Sequence, residues 1–302
     1  MNRNNTVSAV IPTRNRPHLV VRAVRSALAQ TYKNMEVIVV VDGPDSATSD
    51  ALASYEDDRL RVIVMPSAQG GQSARRAGIE AAQGDWIAFL DDDDEWLPEK
   101  IQLQITRAKN STFRYPIVSS QLFFRTPDAE FVWPRREPYE PLSEYLLARD
   151  SFSRGEGMLS TITLFVPKDL LHHVSFTRGL KRCHEVDWAL RASRQDGAGI
   201  EFIPKPLAVA NEAANGASIT TAPDWRASLE WVESIRDIIT GRAYASYLAI
   251  TVASQAARES DWRAFGVLLK RILTRGAPKA RDLVFFLSVW CIPRKLQLAV
   301  RK

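Results

Sequence analysis

The stretch from Trp86 to Glu95 constrains the chain more than any other: Trp-Ile-Ala-Phe-Leu runs straight into Asp-Asp-Asp-Asp-Glu. The apolar half is short, partly aromatic and β-branched, and follows Gly84-Asp85, which suits a buried strand. A strand apolar on both faces belongs in the middle of a parallel sheet covered by helices. The adjacent acids at its carboxyl end repel one another unless solvent or a cation neutralises them. Ligands of open α/β sheets bind beyond the carboxyl ends of the strands. Hard cations such as Mg²⁺ take one or two carboxylates together with substrate phosphates. The stretch therefore points to a divalent-metal site that holds a phosphate-bearing substrate. A competing reading stays open on these residues alone: an acidic turn capping a helix that opens near Pro98.

Short strands and helices alternate around this run. Val7 to Ile11 forms a strand stopped by Pro12-Thr13, and Pro17 opens a helix whose broad apolar face carries Val20, Ala23, Val24 and Ala27. Glu36 to Val41 is a second buried strand ending in the turn Asp42-Gly43-Pro44-Asp45. A helix over Ser46 to Tyr55, a strand over Leu60 to Met65 and a helix over Gln72 to Ala82 precede the Trp86 strand. This alternation means βαβ units, a parallel sheet and right-handed crossovers. The middle is less regular. It reads as a helix over Pro98 to Ala108, strands over Tyr115 to Phe124, Glu130 to Trp133 and Thr161 to Val166, a helix over His184 to Arg194, and a last strand over Ile200 to Ile203. Helical patterns then run from Asp224 onward, so the boundary falls near 220: residues 1–220 form the catalytic-looking domain and 221–302 a helical extension.

Charge sharpens that division. The net charge is +5, yet from Arg258 onward there are eleven bases and three acids, a local +8 against −3 for residues 1–257. Such asymmetry suits an anionic partner for the tail, a membrane surface or nucleic acid. No nucleic-acid motif accompanies the charge, which favours the membrane. Leu283 to Ile292 is the most apolar ten-residue stretch, too short for the about 20 residues of a spanning helix, but flanked by Lys279, Arg281, Arg294 and Lys295 it suits a membrane interface. A helical hairpin packed on the catalytic domain, or a dimer contact, accounts for it equally well. Cys183 and Cys291 offer no disulfide framework, and the first thirteen residues carry no secretory pattern; both suit a cytoplasmic protein, peripheral on the inner face of the membrane.

Several pieces stand in a telling order: Ile11-Pro12-Thr13-Arg14-Asn15-Arg16; Ser26 to Tyr32; the Glu36 strand and Asp42; Ala74-Arg75-Arg76-Ala77-Gly78-Ile79; Ala82-Gln83-Gly84-Asp85; and Leu90-Asp91-Asp92-Asp93-Asp94. Together they resemble the inverting family 2 glycosyltransferases. The resemblance covers Val7 to Lys100 strongly and His184 to Arg191 moderately. It implies an α/β fold of GT-A type, a Rossmann-like mixed sheet flanked by helices, here with a C-terminal helical extension. It also implies transfer of a sugar, with inversion, from a nucleotide diphosphate sugar (a UDP-sugar by preference) to a hydroxyl of a saccharide or lipid-linked acceptor, in cell-surface polysaccharide or glycolipid synthesis.

The resemblance places Thr13 and Asp42 on the nucleoside, Arg75 on the nucleotide, Asp91 near the ribose, and Asp93, with Asp91, on Mn²⁺ or Mg²⁺. Asp92 counts with the substrate-binding acids, since no sequence argument separates it from its neighbours. The family's usual Asp-Asp-Gly-Ser-x-Asp is here Val41-Asp42-Gly43-Pro44-Asp45, which leaves the part of Asp45 open. The family's base opens a helix with Glu-Asp and an arginine six residues past the Asp. Glu185 stands six before Arg191 and so holds the base position, with Asp187 as second choice and His184 where the family has glutamate. A helix N-terminus favours an ionised carboxylate. Trp133 to Arg136, Ser153 to Met158 and a flap over Asn211 to Ser218 are the expected acceptor and donor-covering segments. Two other readings remain: a non-catalytic, membrane-associated nucleotide-binding module, and a sugar-phosphate nucleotidyltransferase, although Pro12-Thr13-Arg14-Asn15 lacks the latter's glycines. A dehydrogenase is disfavoured, because no G-x-G-x-x-G follows a strand.

Overall fold

Seven consecutive buried residues, Val7–Thr13, form β1, and the sheet grows outward from it. The computed structural model describes residues 5–150, 156–180, 182–212 and 224–291. β2 (Met35–Val41) lies parallel to β1, with Thr13 opposite Val41, and β3 (Leu60–Val64) lies parallel to β2. On the other side β4 (Trp86–Phe89) also runs parallel to β1. α1 (Pro17–Leu28), α2 (Ser46–Ala53) and α3 (Gly71–Ala81) connect these strands. This is the alternating unit expected from the sequence, and its strand order is β3-β2-β1-β4.

Two glycines set its geometry. Gly43 turns the chain out of β2 at φ +94°, and a Cβ there would stand 2.8 Å from the Ala68 nitrogen. Gly78, inside α3, lets that helix close on the sheet, for a Cβ would meet Val10 Cγ1 at 2.4 Å. In an interior packed like an organic crystal, no larger residue fits without displacement.

Beyond β4 the sheet becomes mixed. It continues through β8 (Phe165–Pro167), β6 (Tyr115–Arg125), β9 (Ala198–Asn211) and β5 (Glu95–Trp96), with β7 (Glu130–Trp133) paired antiparallel to β6. α4 (Lys100–Lys109) follows β5, and α6 (Lys168–His173) follows β8. Two expectations need correcting. Thr161 to Val166 is not one strand: Thr161–Thr163 is a 3-10 turn, and the strand is Phe165–Pro167. The last strand does not stop at Ile203. Its pairing with β6 passes from Ser120 opposite Ile203 to Gln121 opposite Pro206, so Pro204 and Lys205 bulge out and the strand resumes to Asn211. Proline cannot donate to a ladder and is tolerated at such a bulge.

Contacts divide the chain into two units, the first comprising Met1–Trp133, Leu159–Arg178 and Arg191–Asn215, the second Pro134–Met158, Gly179–Leu190 and Gly216–Lys302. The sheet belongs to the first. The second is helical: α5 (Leu142–Leu147), the start of α7 (His184–Ala192), α8 (Trp225–Ser234), α9 (Gly241–Tyr247), a π-helical stretch Leu248–Val252, α10 (Ala253–Arg258), α11 (Trp262–Arg275) and α12 (Ala280–Cys291). Asp224 caps α8 by accepting from the Ala227 amide at 3.0 Å, and Thr240 caps α9 by accepting from the Ala243 amide at 3.0 Å. An ion-pair hub ties the segments flanking α5 to α9 and α12: Arg136, Arg242 and Arg281 converge on Asp150, and although burial works to raise its carboxyl, the three arginines hold it below its usual range.

Candidate functional site

The parallel register brings the carboxyl ends of β1, β2 and β4 together, and the acid run leaves β4 at that edge. The Thr13 hydroxyl donates to Asp92 Oδ2 at 2.7 Å, and the Thr13 carbonyl accepts from the Asp42 amide at 2.9 Å. Thr13 thus ties β1 to both neighbouring strand ends. Asp42 is buried, and its two oxygens accept from the Gln69 and Gly70 amides at 2.7 and 2.9 Å. These bonds hold the loop before α3. Asp45, left open by the sequence, caps α2: it accepts from Thr48, chiefly the hydroxyl, and from the Asn15 amide, and these bonds lower its pKa.

The acids of the run separate by environment. Asp92 is buried; burial pushes its carboxyl above the usual range, while the Thr13 hydroxyl and Arg16 pull the other way. Asp94 is buried too. Desolvation, then the neighbouring Asp91 and Asp93 charges, drive it well above its ordinary value against the bond from the Asn211 amide at 2.9 Å. Asp91 and Asp93 keep part of their side chains in solvent. Arg75, buried on α3, donates to Asp91 Oδ1 at 2.7 Å, and its Nε has no acceptor among the described residues. Arg16 donates to Asp92 Oδ1 at 3.0 Å and to Asp93 Oδ2 at 3.1 Å. Burial works against the Arg16 charge, but the two carboxylates outweigh it and raise its pKa. Arg22 bonds the Asp93 carbonyl and pairs with Glu95 at 3.4 Å. Asn211, at the end of β9, bonds the Asp93 carbonyl at 2.9 Å.

Thr13, Asp42, Arg75 and Asp91 to Asp94 therefore gather at one edge of the sheet. Arg16 and Arg22 join them without having been singled out, and Asn211, expected to open a flap, joins them as the last residue of β9. The signal for Arg16 lay in its place just past the first strand; Asn211 was placed in a flap rather than in a strand, because the sequence ends the last strand eight residues too early. Among the described residues no three His, Cys, Asp or Glu side chains converge as a metal cluster. The donor set still suits a hard cation: Asp91 and Asp93 offer carboxylate oxygens at an open strand end, and such ions complete their shell with substrate phosphate and water.

Glu185 and Asp187 lie in the first turn of α7, as the spacing predicts, and differ in burial. Glu185 is half-buried, whereas Asp187 is buried and accepts from Trp231 Nε1 of α8 at 3.0 Å, binding two helices of the second unit. Burial pushes the Cys183 thiol up to about 11, so it stays protonated near neutral pH. Trp133 stacks on Phe124 at 4.2 Å, which engages one face of its ring. Residues 153–155 of the expected acceptor segment and 213–218 of the expected flap lie outside the described residues.

Comparison with known proteins gives the family and the fold. The sequence family described as Glycosyl transferase family 2 matches residues 8–168. The amylovoran biosynthesis glycosyltransferase AmsB of Erwinia amylovora is 27% identical over 253 residues, spanning 80% of this chain and 81% of AmsB. The succinoglycan biosynthesis protein ExoO of Rhizobium meliloti is 42% identical over 34% of this chain and 29% of its own length. The Escherichia coli glucosyltransferase WfgD, named as acting on a GlcNAc-diphosphoundecaprenol, is 30% identical over 45% of this chain and 54% of its own. This chain thus spans about half or less of those last two. Among solved structures, S. aureus TarS superposes at a TM-score of 0.62 and 14% identity, covering 94% of this chain and 55% of TarS. A shorter TarS form, solved in complex with UDP, superposes at 0.59 and 15% identity, covering 94% of this chain and 90% of that one. These neighbours share the fold: a mixed GT-A-type sheet with a helical C-terminal portion.

Proposed function

The chain belongs to glycosyl transferase family 2, and from that premise we propose that it transfers a sugar, with inversion, from a nucleotide diphosphate sugar to a hydroxyl of a saccharide or lipid-linked acceptor in polysaccharide or glycolipid synthesis. One observation carries the donor half: Thr13, Asp42, Arg75, Asp91 and Asp93 meet at the carboxyl ends of β1, β2 and β4, where α/β sheets hold nucleotides. A UDP-sugar is the preferred donor. Asp42 would accept from the uracil imide N–H, and Asp91 would bond the ribose. The orphaned Arg75 Nε offers a donor to a diphosphate oxygen. AmsB and WfgD, named for polysaccharide synthesis and a lipid-diphosphate acceptor, support the acceptor half.

Asp93, with Asp91, would hold Mn²⁺ or Mg²⁺, which when bound stabilises charge on the departing nucleoside diphosphate. Glu185 is the proposed base on the strength of its spacing from Arg191. Its carboxylate takes the acceptor hydroxyl proton as that oxygen bonds the anomeric carbon and the bond to the diphosphate breaks. Asp187, committed to Trp231, positions α7.

The test is nucleotide release from a panel of nucleotide sugars, with Mn²⁺ or with chelator, in wild type, Asp93→Ala and Glu185→Gln. Asp93→Ala should lose Mn²⁺-dependent donor binding and turnover. Glu185→Gln should bind donor normally and lose most of kcat, in the range of about 10²–10⁴ that general-base catalysis supplies. Full turnover in Asp93→Ala would overturn the donor assignment.

A further inference from the structure

Helices α11 and α12 of the second unit show exposed apolar side chains with no exposed acid on either helix. On α12, Ala280, Val284, Leu287 and Cys291 recur at helical spacing and are all exposed, Val284 at 57% and Leu287 at 48%. On α11, Trp262 is 64% exposed and Leu273, three turns on, 55%. The two helices meet through aromatic rings, Trp262 on Trp290 at 5.1 Å and Phe265 on Phe286 at 5.0 Å, so both stripes flank one seam. A monomeric protein rarely exposes apolar side chains in such a group without a partner.

Charge identifies the partner. Most acids near this surface are engaged: Asp282 is buried and accepts from the Lys279 amide, Glu259 and Asp261 pair with Arg226, and Glu233 pairs with Arg271 and Arg275, while Glu230 of α8 is exposed beside Val267. The exposed positions of α11 carry Arg263 and Lys270, and neither helix presents an exposed acid. Neither helix is long and apolar enough to cross a membrane. Apolar side chains rimmed by bases, with an exposed tryptophan, match the boundary of an anionic bilayer, where the rings and aliphatic groups enter between headgroups and the cations face phosphate.

We propose that the α11–α12 surface docks the protein on an anionic lipid bilayer, with Trp262, Leu273, Val284 and Leu287 inserted and Arg263 and Lys270 on the headgroups. The proposal is independent of the transfer reading. It is tested with the full chain by sedimentation with vesicles of phosphatidylcholine alone, or with about one third phosphatidylglycerol. Wild type should pellet with the anionic vesicles and not with the neutral ones. Val284→Glu/Leu287→Glu should weaken binding at least about tenfold, and Lys270→Glu at least about fivefold, near the effect of one surface charge. Both variants change exposed positions, so circular dichroism and melting temperature should match wild type. Failure of wild type to bind anionic vesicles overturns the proposal. So does equal binding by the double variant. A wild-type dimer that the double variant dissociates, with no vesicle binding by either, assigns the surface to a second copy instead.

Discussion

Lys100 is fully buried in the first unit, and its surroundings fix how stability must respond to pH. Its Nζ bonds Gln104 Oε1 at 2.7 Å and lies 4.1 Å from the centre of the Trp96 ring. No acid is paired with it among the described residues. Desolvation lowers its pKa well below the ordinary lysine value of 10.5. The unfolded chain therefore binds a proton that the native state does not, and stability rises with pH up to the ordinary lysine range. One proton contributes at most about 1.4 kcal/mol per pH unit, which sets a ceiling of about 2.5 kcal/mol between roughly pH 8 and 10, allowing for the approach to the unfolded pKa. Lys100→Met removes this dependence and leaves Gln104 Oε1 without its donor, a loss of about 1–3 kcal/mol that does not change with pH. The diagnostic is thus the difference between the two proteins, not either curve. Urea unfolding at those pH values should show wild type gaining on the variant as pH rises, by up to about 2.5 kcal/mol. A constant difference across that window would refute the idea that the amine is buried uncharged.

Other outcomes follow from particular contacts. Gly78→Ala forces α3 away from Val10 and should lower unfolding free energy by about 1–3 kcal/mol; an unchanged urea midpoint would contradict the close packing. Trp231→Phe takes a donor from buried Asp187 and should destabilise by a similar amount, while donor binding in the first unit stays at the wild-type level in calorimetry. Arg75→Lys, which loses the second guanidinium nitrogen while keeping charge, should raise the donor Kd by about tenfold or more.

The parallel half of the sheet was legible because each of its strands is a short apolar run cut off by Pro, Gly or Asp, and each intervening helix carries its own apolar face. The acid run was legible for the same reason. What was hidden depends on pairing. Pro204 and Pro206 read as a strand end, yet β6 accepts them through a bulge, and only then does Asn211 reach the acid run. Two-residue β5 and six-residue α5 and α6 are too short for periodicity to register. The different environments of Asp91 to Asp94 were invisible in a run of identical letters. They arise from which neighbour each meets: the Thr13 hydroxyl, the Asn211 amide, or an arginine at the rim.

Arg16, Arg22 and Arg75 supply the acid run with its own organic counter-ions. The turn thus gathers its acids on guanidinium groups of the same chain. An ion bound through Asp93 Oδ2 would displace Arg16, and a ligand rich in negative oxygens arriving alongside would give the released arginine a new companion. Ion and ligand would then enter as a pair.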